Sequence, residues 1–279
     1  MIDQTELLNL LTTAINAAVK AGKLIMDVYN SNDFHVNLKS DKTPLTLADR
    51  QAHTEIANCL SKTRIPTLSE EGRNIMYEER KGWEYFWLVD PLDGTKEFIK
   101  RNGEFTVNIA LIINGYPAMG VVYVPVLKDL YFALNTEGAF KVSLIEPTLT
   151  PNLKYSELKP IASKLPLSQK RDKFTVVGSR SHMNHETEEY IANLEKKYGS
   201  INMINRGSSL KMCMIAEGTA DIYPRFSSTW EWDTAAGQAI VEAAGCYIVS
   251  ADTKQRMVYN KEDIQNPWFI VKAKQDIGE

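Results

Sequence analysis

Two aspartates close together, followed by Gly-Thr, are the first residues in this chain that could do chemistry. They lie in Trp87-Leu-Val-Asp-Pro-Leu-Asp-Gly-Thr-Lys-Glu-Phe98, directly after the apolar run Tyr85 to Val89. That run is short and β-prone, so it predicts a buried strand that delivers Asp90 and Asp93 at its end. Paired carboxylates suit hard divalent cations, which take oxygen ligands. Backbone N–H groups at a helix start beyond Gly94 and Thr95 suit a phosphate. The competing reading is a plain turn, because Asp-Pro and Asp-Gly are common turn formers and Asp or Thr often merely caps a helix.

Other acids bear on that choice. Glu70 and Glu71 follow the short strand predicted at Ile65 to Ser69. Asp49 stands three residues after Thr46, which is capping-box spacing with Asp in place of Glu or Gln. It could close a helix start or be aimed at a nearby site. Asp233, in Trp230-Glu-Trp-Asp233, stands at another helix start as a cap or a ligand. In layered α/β folds such element ends converge on one crevice. Glu70, Asp90, Asp93 and Asp233 would repel one another if gathered without cations. With Mg²⁺ among them the cluster is favourable and suits metal-assisted hydrolysis of a phosphate ester. No His/Cys spacing suggests zinc, and no Ser or Cys is visibly paired with a base. Gly207-Ser-Ser-Leu-Lys211 could open a helix with an anion site, or with an ordinary serine cap and a solvated lysine. Arg225 ends a strand in the same region.

The elements that must position these residues fall into two halves. In residues 1–145, Thr5 to Tyr29 has helical apolar spacing and a second helix follows Asp49. After the irregular, charged stretch Arg73 to Gly82, read as a mobile loop, and the Asp90 strand come four β-rich runs: Phe105–Ile113, Pro117–Val124, Leu130–Leu134 and Ala139–Val142. Asn114-Gly115 between the first two is a strong hairpin signal, and the runs predict an antiparallel meander in an α+β half. Phe34 to Lys39 reads as a further strand. A Pro/Ser/Thr/Lys-rich connection starts near Ile145, and residues 146–279 alternate strand and helix, which predicts an α/β half with a largely parallel sheet.

Composition narrows the class of partner. Across 279 residues, 44% are hydrophobic and 24% charged, with net charge −3, so no basic field favours a nucleic-acid polymer or anionic lipid. Cys59, Cys213 and Cys246 are odd in number and widely spaced, which suggests reduced, packed thiols and a cytoplasmic setting. No apolar run is long enough to span a bilayer. The first helix is expected to pack on the core, with peripheral contact at the inner face of a membrane as the weaker alternative. A monomer is expected over a dimer.

Taken as a set, Asp90-Pro-Leu-Asp-Gly-Thr95, Ser69-Glu-Glu71 and Trp232-Asp-Thr-Ala-Ala-Gly237 resemble the inositol monophosphatase superfamily of Mg²⁺-dependent, lithium-sensitive phosphatases. Asp93-Gly-Thr-Lys-Glu-Phe98, Phe105-Thr-Val-Asn108 and Gly207-Ser-Ser-Leu-Lys211 are similar to its bacterial 3′(2′),5′-bisphosphate nucleotidases. The resemblance implies a layered α/β/α/β/α sandwich of the inositol monophosphatase/sugar phosphatase type. It implies that Glu70, Asp90, Asp93, Asp233 and the carbonyl of Leu92 hold two or three Mg²⁺ ions. Asp49 and Thr95 would activate the attacking water, and Gly94 and Thr95 would bind the scissile phosphate. Ser208, Lys211, Arg225 and His182 would hold the rest of a nucleotide. The implied reaction converts 3′-phosphoadenosine 5′-phosphate to AMP and phosphate in sulfur metabolism. The alternatives are an inositol or sugar monophosphatase with the same metal site, or a catalytically silent nucleotide- or metal-binding regulator.

Overall fold

The structure, a computed structural model, describes residues 2–31, 37–38, 44–148, 152–167, 171–179 and 183–273. Strand β4 (Tyr85–Asp93) shows how the layers arise. Its side chains alternate: Trp87 and Val89 enter one apolar cluster, and Phe86 and Leu88 another on the opposite face. Both faces are covered, which is why the run is apolar without interruption. β5 (Thr106–Ile113) alternates in the same way, with Val107, Ile109 and Leu111 on one side and Ala110 and Ile112 on the other.

The remaining strands build out from this pair. β6 (Tyr116–Val124), β7 (Asp129–Leu134) and β8 (Gly138–Val142) continue the predicted antiparallel meander. Asn114 and Gly115, at φ 50° and 81°, make the β5–β6 turn, the double left-handed conformation that Asn-Gly favours. β3 (Thr67–Ser69) joins β4 on the other edge, and in parallel. The sheet also continues past Ile145, because β9 (Ser163–Lys164) pairs with β8 after the short helix α5 (Tyr155–Leu158). A two-residue pairing of β1 (Asn37–Leu38) with β2 (Pro44–Leu45) stands apart. The rest of the strand expected at Phe34 to Lys39 lies outside the described residues.

The second sheet runs β11-β10-β12-β14-β13, formed by β10 (Thr175–Ser179), β11 (Asn202–Arg206), β12 (Ile222–Arg225), β13 (Tyr247–Ser250) and β14 (Phe269–Lys272). It is mixed, against the expectation of a largely parallel sheet: β10 pairs in parallel with β11 and β12, but β14 pairs antiparallel with β12 and β13. No helix crosses over between β13 and β14, so nothing imposes a parallel return.

Helices complete five layers. α1 (Gln4–Tyr29) and α2 (Leu47–Leu60) cover one face of the first sheet. α7 (Leu210–Glu217) and α8 (Glu231–Ala243) fill the space between the sheets, and α6 (His185–Tyr198) covers the outer face of the second. This is the expected α/β/α/β/α sandwich. α8 comes so close to β6 that a Cβ on Gly120 would meet the Ala236 carbonyl at 2.4 Å. α1 turns its apolar face, from Leu10 to Val28, onto the core. The stretch predicted as a mobile loop contains α3 (Tyr77–Arg80), and Arg80 is only 3% exposed. Its guanidinium donates to Asn260 Oδ1 and to the carbonyls of Lys261 and Glu262, at 2.6–3.0 Å.

Candidate active site

Strict alternation would send Asp90 and Asp93 to opposite faces of β4, because they are three residues apart. The ladder with β5 shifts register between them: Asp90 pairs with Asn108 and Asp93 with Thr106. That irregularity, built around Pro91, brings both acids to one site. Asp233, in the first turn of α8, comes from the layer between the sheets. One carboxylate oxygen from each of Asp90, Asp93 and Asp233 lies within 4.8 Å of the others.

Glu70 lines the same cavity and shares a hydrogen bond with Asp90. Burial, then the charges of Glu70, Asp93 and Asp233, push the Asp90 carboxyl well above the usual carboxylate range. Burial, then Asp93 and Glu70, do the same to Asp233. Asp233 is also a cap, since its Oδ2 accepts the Trp230 N–H at 2.8 Å. The cap reading therefore holds, and the same carboxylate faces the acid cluster. Asp93 Oδ2 accepts the backbone N–H of Ser209 at 2.6 Å, and Asn108 Nδ2 donates to it at 3.3 Å.

Asp49 is 1% exposed and closes the predicted capping box by accepting the Thr46 N–H at 2.7 Å. Its other oxygen accepts the Thr95 hydroxyl at 3.1 Å. The same hydroxyl lies 3.3 Å from the Leu92 carbonyl. Thr95 thus joins the cap of α2 to the acid turn. Gly94 caps α4 (Thr95–Ile99) at φ +94°, and a Cβ there would stand 3.1 Å from the Glu104 carbonyl. A side chain at this turn would be both strained and crowded.

The same cavity, of about 240 Å³, is also lined by basic residues. Lys211 is 4% exposed, donates to the Ser208 carbonyl at 2.5 Å and lies 5.4 Å from the centre of the Tyr223 ring. Burial pulls its ammonium down to about 8, so it is not the solvated lysine of the alternative reading. Arg225 is 8% exposed and donates from Nη2 to the Ser228 carbonyl at 3.2 Å, while its buried Nε has no partner among the described residues. Ser208, at φ 48°, also lines the cavity. His182 lies outside the described residues.

Four residues to which the sequence reading gave no role of their own line or support this site. Ser209 binds Asp93, Asn108 supports both, and Tyr223 and Trp230 form part of the wall. A serine beside a helix start reads as a cap, and nothing in its neighbours shows that it faces an acid from another layer.

The donor set fits hard divalent cations. It consists of carboxylate oxygens with a nearby backbone carbonyl, and without a cation two of the carboxyls are driven toward the neutral form. Comparison with known proteins agrees with this chemistry. Residues 6–275 match the inositol monophosphatase family. The chain is 45% identical over 257 residues to the 3′(2′),5′-bisphosphate nucleotidase CysQ of Salmonella typhimurium, covering 91% of this chain and 96% of that one. The crystal structure of CysQ from Bacteroides thetaiotaomicron, a bacterial member of the same family, superposes with a TM-score of 0.90 at 50% identity, covering 98% of this chain and all of the other. The suhB protein of Bartonella henselae shares the fold, with a TM-score of 0.71 at 24% identity over 95% of this chain and 94% of that one.

Proposed function

The chain belongs to the inositol monophosphatase family, and from that premise we propose that it is a 3′(2′),5′-bisphosphate nucleotidase. It hydrolyses the 3′-phosphate of 3′-phosphoadenosine 5′-phosphate, giving AMP and phosphate. One observation carries the substrate class: a single cavity is lined both by the acids Glu70, Asp90, Asp93 and Asp233 and by the buried cations Lys211 and Arg225. A substrate with one phosphate needs only the acids and their cations. A bisphosphate engages Lys211 and Arg225 as well.

Glu70, Asp90, Asp93, Asp233 and the Leu92 carbonyl would hold Mg²⁺, two or three ions in all. When bound, these ions supply positive charge that stabilises the phosphate oxygens and the leaving oxygen. The chain's own groups do the rest. The turn at Gly94 and Thr95 holds the scissile phosphate. The Thr95 hydroxyl, which donates to Asp49, orients the attacking water. Asp49 takes the proton as the water oxygen bonds to phosphorus, and the 3′-oxygen leaves with its electron pair and takes a proton from solvent water. Lys211, Arg225 and Ser208 hold the 5′-phosphate and sugar, with His182 as a further candidate. In this division residues 1–145 carry most of the acids, and residues 146–279 contribute Asp233 and complete the substrate pocket. The three free, buried cysteines suit a reducing compartment, and we place the enzyme there, as a monomer.

Phosphate release from 3′-phosphoadenosine 5′-phosphate and from inositol 1-phosphate, measured side by side with Mg²⁺ and then with added Li⁺, tests the assignment. Fast, lithium-inhibited release from the nucleotide alone is expected. Preference for inositol phosphate would remove the second-phosphate role of Lys211 and Arg225. Release from neither would point to a silent binder.

A further inference from the structure

Three aromatic side chains line the cavity: Tyr223, Phe269 and Trp230. Two of them have no free ring face to offer. Tyr223 is 3% exposed, lies under the Lys211 ammonium and meets Phe269 edge-on at 5.7 Å, and Phe269 is 1% exposed. Trp230 is 40% exposed. An exposed indole in a cavity wall offers an apolar, flat surface on which a planar group can stack.

Its backbone N–H and carbonyl both have partners. The Trp230 N–H donates to Asp233, its carbonyl accepts from Asn266 Nδ2 at 2.6 Å, and the residue bridges to Gln265. The ring is stacked beside Trp232, with centroids 6.1 Å apart and planes 25° apart. Trp230 is therefore an aromatic on an anchored backbone, three residues from an acid of the cluster and five from Arg225. Arg225 itself keeps a buried Nε with no partner among the described residues.

We propose that the Trp230 indole is the platform on which the purine base of the nucleotide stacks. This role rests on the bisphosphate nucleotidase function above. The substrate is then gripped at three points: one phosphate at the acids, the other at Lys211 and Arg225, and the base at Trp230. Trp230 is a specificity residue. A base stack contributes to binding whether or not the reacting phosphate has begun to move, so its loss appears mainly in KM.

The experiment compares kcat/KM for 3′-phosphoadenosine 5′-phosphate with that for ribose 3,5-bisphosphate, which keeps both phosphates and lacks the base. Wild type, Trp230→Leu and Trp230→Phe are assayed with Mg²⁺. The wild-type ratio should favour the nucleotide, and the leucine variant should lower it by about 10-fold or more, the size of a base–aromatic stack. Phenylalanine, which keeps a ring face, should retain most of it. An unchanged ratio in the leucine variant overturns the platform. Should that variant fail to fold, a wild-type ratio near one overturns it equally. A wild type that releases phosphate from neither bisphosphate refutes the enzymatic function itself, a different result from equal use of both.

Discussion

Ser209→Ala probes how the acid cluster is held together. Ser209 is 2% exposed, and its hydroxyl oxygen lies 2.9 Å from Asp93 Oδ2 and 2.8 Å from the Asp233 carbonyl. It also accepts from Asn108 Nδ2 at 2.8 Å. One hydroxyl hydrogen serves either Asp93 or Asp233 at a time, so Ser209 ties together acids that come from β4 and α8. Alanine keeps the 2.6 Å bond from the backbone N–H to Asp93. It removes the hydroxyl and leaves the Asn108 Nδ2 group with only its 3.3 Å contact to Asp93. Loss of partners for a buried polar group costs about 1–3 kcal/mol. Each kcal/mol lowers the melting temperature by roughly 2–4 °C in a chain of this size. The larger effect should fall on the metal. Partners that orient ligating carboxylates are worth about 10- to 100-fold in metal affinity. Direct titration with Mn²⁺, followed by electron paramagnetic resonance, reads that affinity without turnover. A merely structural serine would lower the melting point and leave the titration in place. Affinity within twofold of wild type would refute the argument that Ser209 orients Asp93 toward the cations.

Three other substitutions separate the remaining parts of the site. Asp49→Asn keeps one oxygen for the Thr46 cap and should cost at most about 1 kcal/mol of stability, the scale of a helix cap. Turnover should fall by about 10²- to 10⁴-fold, the range of a general base, whereas turnover within a few-fold of wild type would return Asp49 to capping alone. Lys211→Met removes a buried charge, so the protein should melt no lower than wild type. KM for the bisphosphate should rise about 10-fold or more, on the scale of a charged hydrogen bond, and equal losses on inositol 1-phosphate would sink the second-phosphate role. Gly207→Ala places a Cβ 2.6 Å from the Glu104 carbonyl and 2.9 Å from Glu97 Cγ. Overpacking of this kind costs about 1–3 kcal/mol, read as a lower melting temperature, and an unchanged melting point would mean that this loop yields freely.

What the sequence could reveal of this site depended on how far apart in the chain the cooperating atoms lie. Asp90, Asp93, Gly94 and Thr95 were legible because one strand end carries them all, and the hairpin at Asn114-Gly115 because its backbone conformation is written in two adjacent residues. Ser209 and Asn108 were not, since each matters only through an acid of another element. The mixed second sheet was hidden for a related reason: whether β14 runs with or against β12 depends on how the chain between β13 and β14 travels, and that stretch has no periodicity to read. Gly120 links the two kinds of information. In the sequence it is a glycine inside a strand, which weakens the strand and marks a close approach without naming the visitor. In the fold the visitor is α8, at Ala236 and Ala239. α8 begins with Glu231, and Asp233 lies in its first turn. The contact that Gly120 permits therefore also fixes how near Asp233 stands to Asp90 and Asp93. The acid cluster exists only when α8 is packed against the first sheet, so a side chain at position 120 should disturb metal affinity from the far side of the helix.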